Sequence, residues 1–226
     1  MAQEGVVQPA EYRYRDGARR IVPFAIAGSA FGASFGVLAK GANLGPAPAI
    51  VMSATTFGGS AQFAAVSVLE TGGSAAAAIT AAVLLNARYA PISISIGPAF
   101  EGPAWRRLLE AQLVVDESWA ISAVGAGRYS RRLLVGAGAV LYVAWVGGTA
   151  VGVLGASFLG DPERLGLDAA FPALFVALLA PFLRERRALV AAVLGAAVAL
   201  ALVPLTAPGV PILAASAVCF LGVVRR

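Results

Sequence analysis

Adjacent carboxylates within an apolar run are rare. Asp116 and Glu117 form such a pair in LVVDESWAIS, residues 113–122. Ionisable groups at membrane depth are functional candidates by default. Desolvation raises a carboxylate's pKa, and a neighbouring carboxylate disfavours double ionisation, so one of the two is suited to taking and releasing a proton. The alternative is a pair of solvated acids at the tip of a re-entrant segment. A second polar stretch, FGGSAQF at 57–63, interrupts the uncharged run from Leu44 to Leu69. Gly58 and Gly59 permit a helix break or a close backbone approach. Ser60 and Gln62 offer donors and acceptors there, flanked by Phe57 and Phe63. If Gln62 serves a ligand, Gln62→Leu leaves the protein folded; if the stretch serves only packing, Gly58 is a helix contact and Ser60 bonds to its own backbone. The third stretch is LLNARYAPISISIGP, 84–98. Asn86 shares a helical face with Ser93 and Gly97, Pro91 can bend the helix, and Arg88 is either a site cation or a side chain reaching for the interface.

Other chemistries are excluded. The chain has no histidine, which removes Ser-His-Asp and Cys-His nucleophilic systems and most zinc sites. Cys219 is alone, so no disulfide framework or cysteine metal cluster is expected. GGSAQ departs from a nucleophile elbow at Gln62 and has no histidine base. The single lysine, Lys40 in FGVLAKG, does not belong to a phosphate loop, so ATP is not expected to bind. The basic N-terminal tail reads as an orientation signal rather than a nucleic-acid patch. No metal or cofactor is expected.

The elements that must carry these residues are hydrophobic helices. Of 226 residues, 59% are hydrophobic and 13% charged, with a mean hydropathy of +0.80; soluble domains carry about 25% charged residues. Apolar segments fall near 21–39, 45–69, 74–98, 113–125, 133–159, 170–183, 188–206 and 210–224. No cleaved leader is read at the N-terminus; residues 1–20 form a polar tail and 21–224 one transmembrane domain. Basic loops belong on the cytoplasmic side. With 45–69 and 113–125 each entering and returning on one side, about six full spans remain, and all the arginine clusters lie inside with both termini, while the acidic loop 160–169 lies outside. The fold expected is an all-α, polytopic transmembrane bundle of about six full spans plus two broken or re-entrant segments, or alternatively seven or eight spans. Read as one helix, 45–69 places Ser53, Thr56, Ser60 and Ser67 on one side and Thr55 and Gln62 on the other, a pattern for the middle of a bundle. Gly28, Gly32 and Gly36, and likewise Gly148 and Gly152, repeat every four residues and predict close helix packing.

MSATTFGGSAQFAAVSVLETGG, then LLNARYAPISISIGP, then VDESWA resembles the AzlC (YgaZ) family, the large subunits of bacterial branched-chain amino acid exporters. RDGARRIVPFAIAGSAFGASFGVLAKGANLG and LGLDAAFPALFVALLAPFL extend the resemblance over roughly residues 16 to 205. It implies a two-component permease of the inner membrane with a small AzlD-like membrane subunit as partner, and valine, leucine, isoleucine and their analogues as substrates. In many members a histidine follows the arginine of the LN-x-R motif; here Tyr89 does. A proton step at that place is absent, which leaves Asp116 or Glu117 to carry any proton coupling.

The reading is a secondary transporter, not an enzyme. The substrate carboxylate would take donors from Ser60, Gln62, Asn86 or a half-helix N-terminus. Its ammonium would take Asp116 or free carbonyls, and its side chain a pocket by Phe57 and Phe63. Two alternatives stand beside it: a membrane-embedded enzyme working through Asp116 and Glu117, and a structural or sensory membrane subunit with no flux.

Overall fold

In the computed structural model, the described residues are 12–125, 127–156, 176, 186–206, 210, 211, 214 and 215. The expected segments at 170–183 and 210–224, the acidic loop 160–169, Cys219 and the two terminal arginines lie wholly or mostly outside them. The described residues are helical apart from turns and one isolated bridge between Ala123 and Tyr129.

Two helices form the spine. α1 (Tyr14–Arg20) leads into α2 (Val22–Gly41), so the last residues of the tail are themselves helical. α9 (Arg131–Gly155) begins with Ser130, whose hydroxyl accepts from the Leu133 amide. α2 and α9 are long and apolar enough to cross a membrane. They run in the same direction, because Gly32 meets Trp145 and Thr149 while Gly36 meets Thr149 and Val153. A Cβ at Gly32 would collide with the Trp145 carbonyl, at Gly148 with the Ser29 carbonyl, and at Gly152 with the Ala33 carbonyl. The glycines at four-residue spacing thus bring two backbones together, as the pattern predicts. The contact continues into α1, where Gly17 meets Leu133 and Gly136 meets Tyr14.

The segment 45–69 is two helices. α3 (Pro46–Thr56) and α4 (Gly59–Glu70) meet at Phe57, which has φ 39° and ψ 45°. That left-handed conformation is unusual for a bulky residue. The Phe57 ring compensates by burial, edge-on to Tyr142 at 5.0 Å between centroids. α4 closes with Gly72 at φ 80° and packs through Ala64, Ala65 and Val68 on Ala78 and Ala81 of α5 (Ala75–Asn86).

α5 continues into α6 (Tyr89–Ile96) and a 3-10 turn (Gly97–Ala99) across a 41° bend. Pro91 accounts for the position of the bend: it has no N–H, and its ring excludes a straight continuation past the carbonyl four residues earlier, that of Ala87. Ala90 instead closes a tighter turn onto the Ala87 carbonyl at 3.0 Å. The short helices α7 (Ala104–Ala111) and α8 (Asp116–Ser122) precede α9, and α10 (Arg186–Leu202) is a further apolar helix. Among the described residues there are therefore two full-length spans, or three with the bent α5–α6 pair counted as one. Side chains such as Ile26, Val143 and Val151 point outward, the surface that hydrocarbon solvates.

α7 is fixed by charge. Glu110 is buried and accepts from Arg131 through Nε at 2.7 Å and through a second guanidinium nitrogen, and from Arg106 Nε at 3.1 Å. The Arg131 bonds, and then Arg106, hold its carboxyl below the ordinary carboxylate value.

Two outcomes are expected. Gly32→Leu should force α2 from α9 and lower stability by roughly 1–3 kcal/mol, as overpacking does. Gly147→Ala, where an added Cβ meets open space, should be neutral or stabilise by up to about 1 kcal/mol; thermal unfolding in detergent compares them. Glu110 should supply stability that is fully present above its unfolded pKa of about 4.3 and lost as pH falls through its lower folded value. The melting temperature of Glu110→Gln, measured against wild type across that acidic range, should sit lower above it and converge on wild type below it.

Candidate functional site

Polar side chains placed in apolar helices must find partners within the protein. Gln62 does so at both ends of its amide. Trp145 Nε1 donates to Gln62 Oε1 at 3.0 Å, and Gln62 Nε2 donates to Ser53 Oγ at 2.9 Å. Ser53 Oγ lies 2.7 Å from Thr149 Oγ1, which donates to the Trp145 carbonyl at 3.0 Å. With the Thr149 proton used, Ser53 is the donor to Thr149. The four residues form a closed ring that begins and ends on Trp145, and Ser53, Gln62 and Thr149 are fully buried. In one continuous helix, nine residues separate Ser53 from Gln62 by about 13 Å along the axis. The break at Phe57 is what lets them touch, and it replaces the continuous-helix arrangement of faces.

The broken ends differ. Two carbonyls at the end of α3 are occupied: Gln112 Nε2 donates to those of Ala54 and Thr55 at 3.1 and 2.9 Å, and Tyr142 Oη donates to Ala54 at 2.9 Å. The start of α4 has no side-chain cap. Its first amides have no intrahelical acceptor and carry the positive end of the helix dipole. Beside them, Ser60 Oγ and Asn86 Oδ1 are buried and have no hydrogen-bond partner among the described residues. A Cβ on Gly58 would lie 2.8 Å from Asn86 Oδ1, so the glycine lets the α5 terminus reach the break. The two interruptions, at Phe57–Gly58 and at Ala87–Arg88, therefore adjoin through Asn86.

Other sequence candidates divide between this site and its frame. Gly59 packs on the indole of Trp145, where a Cβ would come within 2.8 Å. Phe63 is edge-on to Phe35 and Trp145, with centroids 5.8 and 6.1 Å away. Phe57 and Phe63 both belong to the buried core. Arg88, just past the bend, pairs with Asp116 at 3.0 Å, and both side chains are about half exposed. Its guanidinium also lies over the Tyr89 ring at 5.2 Å. Asp116 and Glu117 open α8, where carboxylates suit the helix dipole. Trp119 Nε1 donates to Ser95 Oγ at 3.0 Å, a second tie between α8 and α6. A mainly apolar cleft of about 790 Å³ lies between α3, α4 and α5, with Asn86, Thr55 and Thr56 on its wall beside Met52, Leu69 and Ile79.

Thr149, Trp145, Gln112 and Tyr142 escaped the sequence reading. The signal was present for three of them: Tyr142, Trp145 and Thr149 are hydrogen-bonding groups within the apolar run of α9, and such groups require partners.

Because both ends of the Gln62 amide are engaged, Gln62→Leu should destabilise the protein, since it strands the Trp145 N–H and leaves the Ser53 oxygen without its donor. Each lost partner costs about 1–3 kcal/mol. Thermal unfolding should show a larger loss for Gln62→Leu than for Ser60→Ala, whose hydroxyl has no bond to lose. Equal losses would remove the ring from its structural role.

The family model described as AzlC protein matches residues 23–159, which include every residue of the break, the bend and the ion pair. An uncharacterized membrane protein of Archaeoglobus fulgidus is 35% identical over 185 residues, 81% of each chain. No solved structure matches. By its sequence, the chain belongs to the AzlC family of membrane proteins.

Proposed function

We propose that this protein is the large subunit of a secondary transporter that exports branched-chain aliphatic amino acids. The reading rests on one observation: buried, unpartnered Ser60 Oγ and Asn86 Oδ1 where two interrupted helices meet. An unpaired buried polar group costs about 1–3 kcal/mol, and a ligand that bonds to it recovers that cost. Irregular backbone at membrane depth survives where it is buried or lines a cavity, and interrupted helices bind substrates with their exposed ends.

The chemistry of an aliphatic amino acid fits the groups present. The carboxylate takes the amides at the α4 N-terminus and the Ser60 hydroxyl. The ammonium takes Asn86 Oδ1. The branched side chain lies in the apolar cleft by Met52, Leu69 and Ile79. The half-exposed Arg88–Asp116 pair offers both signs to a zwitterion entering or leaving, and Asp116 or Glu117 would carry any proton coupling. Gln62, Gly59, Phe57 and Phe63 shape the site from behind. A small AzlD-like membrane subunit completes the permease. The basic end of α1 and α9 faces the cytoplasm by the positive-inside rule, in a cytoplasmic membrane crossed several times.

Co-expression with the small subunit in cells fed a valine-containing dipeptide should lower intracellular valine. Asn86→Ala should abolish that effect while raising the melting temperature slightly, because it deletes an unpaired oxygen. Valine retention unchanged by the wild-type pair would count against export, and full transport by Asn86→Ala would move the site elsewhere.

A further inference from the structure

α7 is amphipathic in the reverse of the sense used by soluble proteins. Its polar face meets protein: Glu110 is buried against Arg131 and Arg106. Its apolar face meets none among the described residues. Trp105, Leu108 and Leu109 are 65%, 72% and 65% exposed. At 100° per residue these three lie within one face, opposite Glu110. Because the Glu110 bonds fix the rotation of α7, the apolar face is held outward rather than turning outward by chance.

The height of α7 follows from the same bonds. Arg131 is the first residue of α9, and it also donates to Tyr14 Oη at 3.2 Å. α1 packs beside it and leads directly into α2. α7 is thus tied to the level where two membrane spans begin. Exposed arginines surround that level: Arg13, Arg15, Arg19 and Arg20 on or beside α1, and Arg107 and Arg128 beyond it. Glu110, the buried acid there, is already neutralised. Tryptophan and arginine side by side at the ends of spans suit the headgroup region of a bilayer, and a basic amphipathic helix lies in that plane.

We propose that α7 is an interfacial anchor that seats Trp105, Leu108 and Leu109 at the headgroup–acyl boundary of an anionic lipid leaflet, with the surrounding arginines on lipid phosphates. Arg107 and the arginines of α1 provide the charge complement to an anionic surface. Acting through Glu110 and Arg131, the anchor fixes the entry level of α9 and, through Tyr14, that of α1.

The test uses full-length protein with Cys219→Ser, spin-labelled at Leu108→Cys, Leu109→Cys or Arg107→Cys. It is reconstituted in phosphatidylcholine vesicles with or without phosphatidylglycerol, with the small subunit present or absent. Labels at 108 and 109 should be accessible to oxygen and shielded from a water-soluble nickel chelate, with the label at 107 the reverse. Phosphatidylglycerol should raise the melting temperature of unlabelled protein, and Arg15→Gln with Arg107→Gln should remove most of that rise. Labels at 108 and 109 as open to nickel as the one at 107 would overturn the proposal, because α7 would then lie in water. Labels immobile and closed to both reagents would overturn it in favour of a protein covering. A melting temperature indifferent to lipid charge would overturn the electrostatic half.

Discussion

In hydrocarbon there is no water to take up an unused hydrogen bond, and the ring of Trp145, Gln62, Ser53 and Thr149 is this protein's main response to that constraint. It joins both halves of an interrupted helix to α9. α9 in turn lies against α2 on glycines, where no side chain intervenes. The indole N–H can only donate, so it sets the orientation of the Gln62 amide. The amide sets the Ser53 hydroxyl, and that hydroxyl meets Thr149. The direction of each bond follows from the one before it, and the ring has a single satisfied arrangement.

Against that frame, the buried polar groups divide into satisfied and unsatisfied ones. Ser53, Gln62 and Thr149 have partners; Ser60 Oγ and Asn86 Oδ1 have none among the described residues. The end of α3 is covered by Gln112 and Tyr142, while the start of α4 is left to whatever enters. A break with one end covered and the other open is polarised, and it favours a negative group on one side. Phe57 in the left-handed region is the cost of that break, tolerated because its ring is buried on Tyr142.

Much of this was legible in the sequence, for local reasons. Two adjacent glycines and two polar residues in an uncharged run marked the interruption, and Pro91 marked the bend three to four residues before it. The glycine repeats marked close helix packing, and the structure sets the two repeats against each other. The misplaced part was long-range. A helical wheel drawn through Phe57 put Ser53 and Gln62 on opposite sides, because it assumed continuity where the chain turns. Arg88 and Asp116 were each singled out, yet nothing in their spacing pairs residues 28 positions apart. Glu110 looked like a loop residue, since its partner Arg131 lies beyond the whole of α8. The polarity of Gln62 was visible in the sequence, but its partners, Trp145 above all, were not.

The shared direction of α2 and α9 has an electrical consequence. Each helix carries a macrodipole equivalent to about half an elementary charge at either end. Antiparallel neighbours cancel, but these two add, so the arginine-rich end gains roughly one further positive charge from backbone alone. A membrane potential acts on a unit charge with about 2.3 kcal/mol per 100 mV. In a cell that keeps its interior negative, a pair of spans with this summed dipole has its lowest energy with the arginine end inward, as a compass needle settles in a field.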